Sequence, residues 1–409
     1  MIEIQIADRK ALKAEYISVI KPIVLFDIEC LKYSIGHLTG VPYKYNKKYF
    51  PTSKGMTAHL IKTITGQSAK QNGVKKDKYS ATIGTFRAWV HGNKRKNLPV
   101  DLVKINSLFN FLISKKGAAL EELLTCAPQK LTQLEDALLP PKFRTEENIE
   151  IIKLVFDFEK RPKTSSAIKR FFRLKNIVKF CPYCNLNQVE YLQDSVGGTA
   201  AVHELDHFFH KAKHRLLSYS LFNLVPSDST CNGPTHKGTN EFSDKFHLNP
   251  YNGGFENDFA FRCTKNAKGK VDRIKLQIKA PLHTRRRWQL NGNLPAIEDG
   301  HERGNFNIFK IESRFNSQTQ YSRLDRILKA INTRAKASRF NSYWNKKMKL
   351  KAKEVYLDWY DETMEGPFQK SKFNEYAMAK LQRDIHDDFF LNQDKSPNNL
   401  FVRNLIRNS

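Results

Sequence analysis

A pair of closely spaced cysteines, Cys181 and Cys184 in the run CPYC, is the feature that most constrains how this chain can fold. A Cys-x-x-Cys turn can place two thiolates on one metal ion, and thiolates select zinc over harder divalent cations. Cys231 lies far enough along the chain to return as a third ligand. The six cysteines are too unevenly spaced for a disulfide framework. The sequence therefore predicts a structural zinc site in the middle of the chain.

The length and charge of the chain set the next bounds. At 409 residues it is longer than one hydrophobic core usually supports, so two or three domains are expected. Its 69 lysines and arginines against 41 acidic residues leave a formal net charge of +28. Because no lysine-rich tail accounts for this excess, a polyanionic partner is expected. Nucleic acid is favoured, and an anionic membrane surface is the weaker competitor.

The expected cellular compartment of the protein is inferred from the targeting signals that its sequence lacks. No apolar run approaches the ~18 residues that a membrane span needs. The opening MIEIQIADRK lacks the basic-then-apolar layout of a signal peptide. A reducing cytosol also keeps cysteines available for metal binding. We therefore expect a cytoplasmic protein.

Periodicity predicts a mainly helical chain with a smaller β part. Apolar residues at helical spacing, as in LVKINSLFNFLI, run up to a break at Pro140 and Pro141. Thr145, followed by two glutamates, is typical of a helix start. The alternating runs FAFRCT and VDRIKLQIK around NAKGK predict a β-hairpin, and helices return from Asn305 onward. The expected fold class is α+β, with regions at 1–140, 141–300 and 301–409.

Residues suited to phosphodiester hydrolysis gather between the cysteines. The apolar run AAVHELDHF ends in Asp206 and His207. A carboxylate and an amide oxygen can hold a hard cation against a scissile phosphate, so Asp206 and Asn232 suit Mg²⁺ or Mn²⁺. A neutral imidazole, with a reference pKa of about 6.5, can take a proton from water, and His207 is the candidate base. Strand alternation would send Asp206 and His207 to opposite faces unless the strand ends or bulges there.

The order of these residues carries a family resemblance. Asp206 and His207, then Asn223 in FNLVP, then Cys231 and Asn232 resemble the motif of the HNH (ββα-metal) endonucleases. The wider context ELDHFFHKAK, LFNLVPS and HLNPY is similar to HNH proteins of bacterial anti-phage systems, particularly the PtuB-type nuclease of Septu and related retron effectors. The resemblance does not cover the N-terminal helical region.

The resemblance implies a zinc-supported ββα-metal core inserted in the helical chain. His207 would be the general base, Asp206 and Asn232 would bind the catalytic Mg²⁺ or Mn²⁺, and Asn223 would tie the loop between the two strands. The cysteines would hold a separate zinc. The expected activity is endonuclease cleavage of DNA in anti-phage defence, alongside a partner ATPase. A single HNH centre cuts one strand, which makes a homodimer an expected way to cut both.

The fourth zinc ligand is a departure from the family pattern. Zinc-containing members carry a second Cys-x-x-Cys that ends at the position of Cys231, whereas here the residue three before it is Asp228. Asp228 is the first choice, because carboxylates also coordinate zinc. His236 and Cys263 are the next alternatives, followed by a degenerate site.

Basic residues near the motif and in the C-terminal region are candidate phosphate contacts. They are Lys211, Lys237, Arg339, Lys346, Lys347 and Lys349. Two other functions stay open: the same chemistry acting on RNA or tRNA, and a non-catalytic zinc module that binds nucleic acid. The combination of Asp206, His207 and Asn232 argues against the second, because a binding protein has no need of it. The role of region 1–140, in DNA binding or partner binding, also stays open.

Overall fold

A computed structural model of the chain shows a mixture of helices and two-stranded sheets, as expected for a mainly helical α+β chain. The residues that it describes are 2–41, 80–93, 102–189, 191–193, 199–201, 204–279, 282–291, 304–336, 356–358, 360–361, 364, 376, 378–393, 403 and 406–407. The chain divides into two compact units.

The first of these, the helical unit, comprises Ala7–Lys175 and Leu205–Val225. Its described helices are α1 (Arg9–Thr39), α2 (Ser80–Asn93), α3 (Leu102–Thr125), α4 (Leu131–Leu138), α5 (Glu146–Lys153) and α6 (Pro162–Lys175). Helix α1 packs against α2, α3 and α6 and is therefore the centre of this unit.

Local sequence sets the bounds of the long helices. Asp8 begins α1 by accepting a hydrogen bond from the backbone N–H of Ala11 at 2.8 Å. Gly40 ends α1 with φ at +72°, a left-handed conformation that glycine adopts without a steric penalty. Helix α3 consists of two helical pieces, because its backbone leaves helical geometry from Ser114 to Gly117.

Buried tyrosines fasten Leu205–Val225 to the helices of the same unit. The hydroxyl of Tyr16 in α1 donates to the carbonyl of Tyr219 at 2.7 Å. The hydroxyl of Tyr219 in turn donates to the carbonyl of Val155 at 3.0 Å. Both tyrosines are fully buried, so each hydroxyl needs such a partner. The helices thus hold in place the segment that carries Asp206 and His207.

The second unit, the mixed unit, comprises Met1–Ile6, Asn176–Glu204 and Pro226–Ser409. The strands and helices from residue 191 onward are β1 (Tyr191–Gln193), β2 (Thr199–Ala201), β3 (Glu204–His207), β4 (Leu224–Ser227), α7 (Ser229–Asn232), β5 (Phe259–Lys265), β6 (Val271–Ile278), α8 (Thr284–Asn291), α9 (Asn305–Ile308), α10 (Ile311–Phe315), α11 (Gln318–Lys336) and α12 (Ala379–Asp388). Strands β1 and β2 pair antiparallel, as do β5 and β6. Strands β3 and β4 pair with each other, and the boundary between the units falls within both strands.

The CPYC turn lies at a meeting point of the mixed unit. The ring of Tyr183, inside the turn, stacks on Phe309 with centroids 4.2 Å apart. The backbone N–H of Ile2 donates to the carbonyl of Pro182 at 2.8 Å, and that of Met378 donates to the carbonyl of Asn185 at 2.6 Å. Segments from both ends of the chain are therefore fastened to this turn.

Three expectations from local sequence are confirmed. Thr145 caps α5 by accepting from the N–H of Asn148 at 3.4 Å. The predicted hairpin is β5–β6, and helices resume with α9 at Asn305. Among the helices that the structure describes, none combines the length and apolar character needed to cross a bilayer. The division into functional regions at 1–140, 141–300 and 301–409 stays a prediction.

Replacing Glu135 should destabilise the helical unit. Glu135 is buried in α4, where its carboxylate accepts from His214 Nδ1 at 2.7 Å and from the N–H of Leu216 at 3.2 Å. Glu135→Leu leaves both donors without their acceptor, and we expect a loss of about 3 kcal/mol in the free energy of unfolding. Urea unfolding measures it. Glu122→Leu, at an exposed position of α3, is the control and should change stability by less than about 0.5 kcal/mol. Equal effects of the two changes would contradict the prediction.

Candidate functional site

Four potential metal ligands come together in the mixed unit. The Sγ atoms of Cys181, Cys184 and Cys231 and a carboxylate oxygen of Asp228 all lie within 4.8 Å of one another. All four residues are buried. Buried thiols and a carboxylate at this separation could hold a metal ion, and they form the only such group found among the described residues.

The CPYC turn is shaped to present two thiols on the same side. The backbone N–H of Asn185 donates to the carbonyl of Cys181 at 2.7 Å, which closes the turn. Asn185 has φ at +55°, a left-handed conformation that asparagine tolerates better than most residues. The chain can then turn back so that the N–H of Leu186 donates to Sγ of Cys184 at 3.4 Å. A backbone donor at the sulfur stabilises its thiolate form.

Asp228 offers a single oxygen to the cluster. Its Oδ1 accepts from the N–H groups of Thr230 and Cys231 at 3.0 and 3.1 Å, which caps the one-turn helix α7. The same oxygen accepts from Nδ2 of Asn187 at 3.0 Å. Its Oδ2 lies 3.5 Å from Sγ of Cys184. Oδ1 is thus occupied by three donors, while Oδ2 faces the thiols.

The ionisation of the four side chains in the cluster favours the binding of a cation. Burial raises the pKa of the Cys181 and Cys231 thiols well above the ordinary value. Burial also opposes ionisation of Cys184, but hydrogen bonds from the two neighbouring thiols and the charge of Arg314 bring its pKa well below that value. Hydrogen bonds likewise outweigh burial at Asp228 and hold the pKa of its carboxyl well below its usual range. The cluster therefore holds negative charge away from water.

Arg314 of α10 supplies compensating positive charge. Its Nη1 donates to Sγ of Cys231 at 2.8 Å, and its Nη2 lies 3.9 Å from Oδ1 of Asp228. Burial opposes the charge of Arg314, but the nearby sulfurs and carboxylate raise its pKa above the ordinary value. Three thiolates and a carboxylate carry more negative charge than one divalent ion neutralises. A fixed guanidinium reduces that excess at the buried site.

The other residues considered for the fourth ligand lie outside the group. Cys263 is on strand β5, and His236 follows α7 by several residues. Burial and the positive charges of Arg314 and Lys310 lower the pKa of His236. Among the alternatives weighed from the sequence, Asp228 is the residue that the fold brings to the three thiols.

Asp206 and His207 lie at the end of β3, in the helical unit. The strand ends at His207, and both side chains are buried, with exposed fractions of 3% and 6%. Nε2 of His207 is 3.1 Å from the carbonyl oxygen of Ser218, and its ring meets Phe158 edge-on with centroids 4.9 Å apart. A carbonyl oxygen can only accept, so in the neutral ring Nε2 carries the proton and Nδ1 carries the lone pair.

Asn223 holds the loop that connects β3 to β4. Its Oδ1 accepts from the N–H of Phe209 at 2.7 Å. Its Nδ2 donates to the carbonyls of Phe209 and Leu217 at 3.3 and 3.1 Å. The side chain is fully buried. It therefore bonds to the loop backbone next to His207, and its role in a nuclease site stays a prediction.

Asn232 ends helix α7 in the mixed unit. It directly follows Cys231, so one member of the metal-ligand cluster lies beside Asn232 in the same one-turn helix. Its Nδ2 donates to Oε2 of Glu204 at 2.5 Å. The amide oxygen Oδ1 is the atom of Asn232 suited to a cation. Asp206 and His207 belong to the helical unit and Asn232 to the mixed unit.

Comparison of the chain with protein-family models, with curated proteins and with solved structures found no match.

The candidate phosphate contacts have different surroundings. Lys211 forms an ion pair with Glu159, which helps to lower the pKa of that carboxyl. Lys237 is buried, with its ammonium 4.9 Å from the centroid of the Phe242 ring, and is poorly placed to reach a phosphate. Four other candidates lie outside the described residues: Arg339, Lys346, Lys347 and Lys349.

Arg314, Asn187 and Ser218 were not identified from the sequence. Arg314 is 83 residues from the cysteine that it contacts, and no local pattern marks it. Asn187 shortly follows CPYC, where a polar side chain near a predicted metal turn is a usable signal. Ser218 acts through its backbone carbonyl, which leaves no trace in residue identity.

Removing one thiol should release the metal. Cys184→Ser replaces a soft anionic ligand with a neutral hydroxyl, so metal content after purification without added metal should fall from about one ion per chain to near zero. Elemental analysis measures it. Cys126→Ser, at a buried cysteine of the helical unit outside the group, is the matched control and should keep the metal. Full metal content in Cys184→Ser would remove the cluster as a metal site.

Removing the charge of Arg314 should weaken metal binding without abolishing it. Loss of a hydrogen-bonding partner behind a metal ligand typically costs about 10- to 100-fold in affinity. Competition of Arg314→Gln with a chromophoric chelator measures this, with Arg273→Gln as control. Arg273 lies 3.5 Å from Glu312 at an exposed position and does not touch the cluster. An affinity of Arg314→Gln equal to that of the control would contradict the assigned role.

Proposed function

We propose that this chain is a metal-dependent endonuclease of the HNH type that hydrolyses phosphodiester bonds in DNA. The observation that carries the proposal is the environment of His207. This histidine ends β3 directly after Asp206, and its ring orientation is set by the carbonyl of Ser218. A histidine held in this way is suited to act as a general base, because one ring nitrogen is committed as a donor and the other can accept a proton.

The order of elements supports the same proposal. Strand β3 ends with Asp206 and His207, the loop after it is held by Asn223, and strand β4 leads into α7, which ends with Asn232. This succession of strand, strand and helix is the one implied by the ββα-metal resemblance.

The chain's own groups divide the work of hydrolysis. His207 accepts the proton of the attacking water at Nδ1, and the hydrogen bond to Ser218 keeps the ring from rotating. Asp206 and Asn232 offer hard oxygen atoms, the donors that Mg²⁺ and Mn²⁺ prefer. When bound, such an ion supplies Lewis-acid stabilisation of the scissile phosphate. Asn223 keeps the loop in the conformation that the histidine requires.

A separate structural zinc completes the proposal. Thiolates favour zinc, and a site with four protein ligands leaves no open position for chemistry. Cys231 and Asn232 are neighbours in α7, so a zinc ion bound by the cluster would fix the helix that carries Asn232. The zinc is therefore proposed to stabilise the mixed unit and to take no part in the chemical step.

The substrate and setting follow from charge and resemblance. A formal net charge of +28 supports a polyanionic substrate, and DNA is proposed. The family resemblance adds a cytoplasmic role in anti-phage defence with a partner ATPase. A homodimer would supply a second centre for the opposite strand.

Replacing His207 tests the proposal. His207→Ala removes the proton acceptor, and the rate of plasmid nicking with Mg²⁺ or Mn²⁺ should fall about 10²- to 10⁴-fold. His283→Ala, at an exposed position in the mixed unit, is the control and should cut at the wild-type rate. Because His207 is buried, the melting transition and zinc content of His207→Ala and of His207→Gln show whether each variant is folded.

Cleavage by a folded His207→Ala at the wild-type rate would exclude His207 as the base. A wild-type protein that cuts tRNA or single-stranded RNA but no DNA would keep the chemistry and overturn the substrate.

A further inference from the structure

The β5–β6 hairpin presents a strongly basic surface outside the site described above. Between residues 259 and 279 the only acidic residue is Asp272, which accepts a hydrogen bond from the hydroxyl of Thr264 at 2.7 Å. The exposed cations of the hairpin are Lys265, Lys268, Lys270, Arg273, Lys275 and Lys279. The hairpin therefore carries six exposed cationic side chains and a single acidic one.

The strand register separates this basic face from a buried one. Arg262 pairs with Lys275, and Thr264 pairs with Arg273, so these four side chains lie on the same face of the ribbon. The opposite face carries Ile274, which is fully buried. The hairpin is therefore packed on one side and charged on the other.

Four lysines of the hairpin are not used to stabilise the fold. Arg262, Arg273 and Lys279 each have a carboxylate within 4.0 Å, on Asp388, Glu312 and Asp384 respectively. By contrast, no carboxylate of the described residues forms an ion pair with the remaining hairpin lysines, which are Lys265, Lys268, Lys270 and Lys275. Their charge is available to an external partner.

The turn of the hairpin holds its lysines in a defined arrangement. Oδ1 of Asn266 accepts from the N–H groups of Lys268 and Lys270 at 3.0 and 3.1 Å. The backbone N–H of Asn266 donates to the carbonyl of Lys270 at 2.8 Å, and Gly269 supplies the left-handed residue with φ at +73°. The backbone positions of these lysines are therefore set before any ligand binds, which reduces the entropy cost of binding.

Side chains from neighbouring segments occupy the free edge of strand β6. Asn316 accepts from the N–H of Ile274 at 2.7 Å and donates to its carbonyl at 2.8 Å. Asp325 accepts from the N–H of Val271 at 2.8 Å. These backbone groups are already bonded, so they cannot pair with an added strand from a partner protein. The surface that stays exposed for binding is the basic face.

We infer that the basic face of the β5–β6 hairpin, together with its turn end at residues 265–270, is a docking surface for duplex DNA, with its lysines on the phosphate backbone. This inference rests on the proposed nuclease function. A two-stranded antiparallel ribbon fits the major groove of B-form DNA, which is about 12 Å wide. The major groove of A-form RNA is too narrow and deep to admit it. The shape of the element, together with its charge, therefore selects duplex DNA.

Neutralising the four unpaired lysines tests the inference. The quadruple variant carries Lys265→Gln, Lys268→Gln, Lys270→Gln and Lys275→Gln. It should bind a labelled DNA duplex more weakly than the wild-type protein does. Mg²⁺ and Mn²⁺ are left out of the assay so that the duplex is not cleaved. The logarithm of the affinity falls as the logarithm of the salt concentration rises, and each lysine–phosphate interaction contributes about 0.9 to the steepness of this slope. The slope of the quadruple variant should therefore be shallower by about 2 to 4. Fluorescence anisotropy over a salt series measures both the affinity and the slope.

A matched control separates direct binding of phosphate from a general reduction in net charge. It replaces four exposed lysines of the helical unit with glutamine: Lys10, Lys115, Lys130 and Lys160. Both variants have the same net charge, and both should keep the wild-type melting transition and zinc content. The control should keep the wild-type salt slope. Equal slopes for the two variants would overturn the inference.

Two further outcomes separate this inference from the proposed function. If wild-type protein nicks DNA but the hairpin variant keeps its salt slope, the docking surface is wrong and the nuclease proposal stands. If wild-type protein neither binds nor cuts duplex DNA, the proposed function fails first and the inference fails with it. Tighter wild-type binding to an RNA duplex, abolished in the hairpin variant, would overturn duplex DNA as the occupant.

Discussion

Four buried ionisable side chains that could hold a metal ion impose the main electrostatic constraint on the mixed unit. The Sγ atoms of three cysteines and a carboxylate oxygen of Asp228 lie within 4.8 Å of one another, so their ionised forms would repel one another unless a cation joined them. The backbone is arranged to accept this, since donors reach Cys184 and Asp228, and Arg314 lies against the cluster. A metal here would join the CPYC turn to helix α7, and Arg314 of helix α10 contacts the same cluster, so three segments distant in sequence meet at it.

A different constraint organises the helical unit. The segment Leu205–Val225 contains only short strands and short 3-10 helices, and buried hydrogen bonds to α1 and to Val155 hold it in place. Within it, Asn223 fixes the loop and the carbonyl of Ser218 fixes His207. The proposed base is thus held by the carbonyl of Ser218 and by packing against the ring of Phe158.

Local signals were sufficient for elements whose causes are local. Thr145 predicted a helix start because capping involves neighbouring residues, and alternation predicted the β5–β6 hairpin because only one of its faces is buried. Asp228 was the first choice as fourth ligand from its spacing to Cys231, and it is part of the group. The contact of Arg314 with the cluster and the burial of Lys237 could not be predicted from the sequence. Both depend on contacts that form only when distant segments pack.

The metal dependence of DNA cleavage by the purified wild-type protein tests the proposed nuclease activity most directly. Supercoiled plasmid would be incubated with the protein over a titration of Mg²⁺ or Mn²⁺, with tightly bound zinc measured before and after. We expect nicked plasmid to appear only when Mg²⁺ or Mn²⁺ is added, while the zinc content stays constant. Cleavage that is undiminished without added Mg²⁺ or Mn²⁺, or no cleavage at any concentration of either ion, would contradict this expectation.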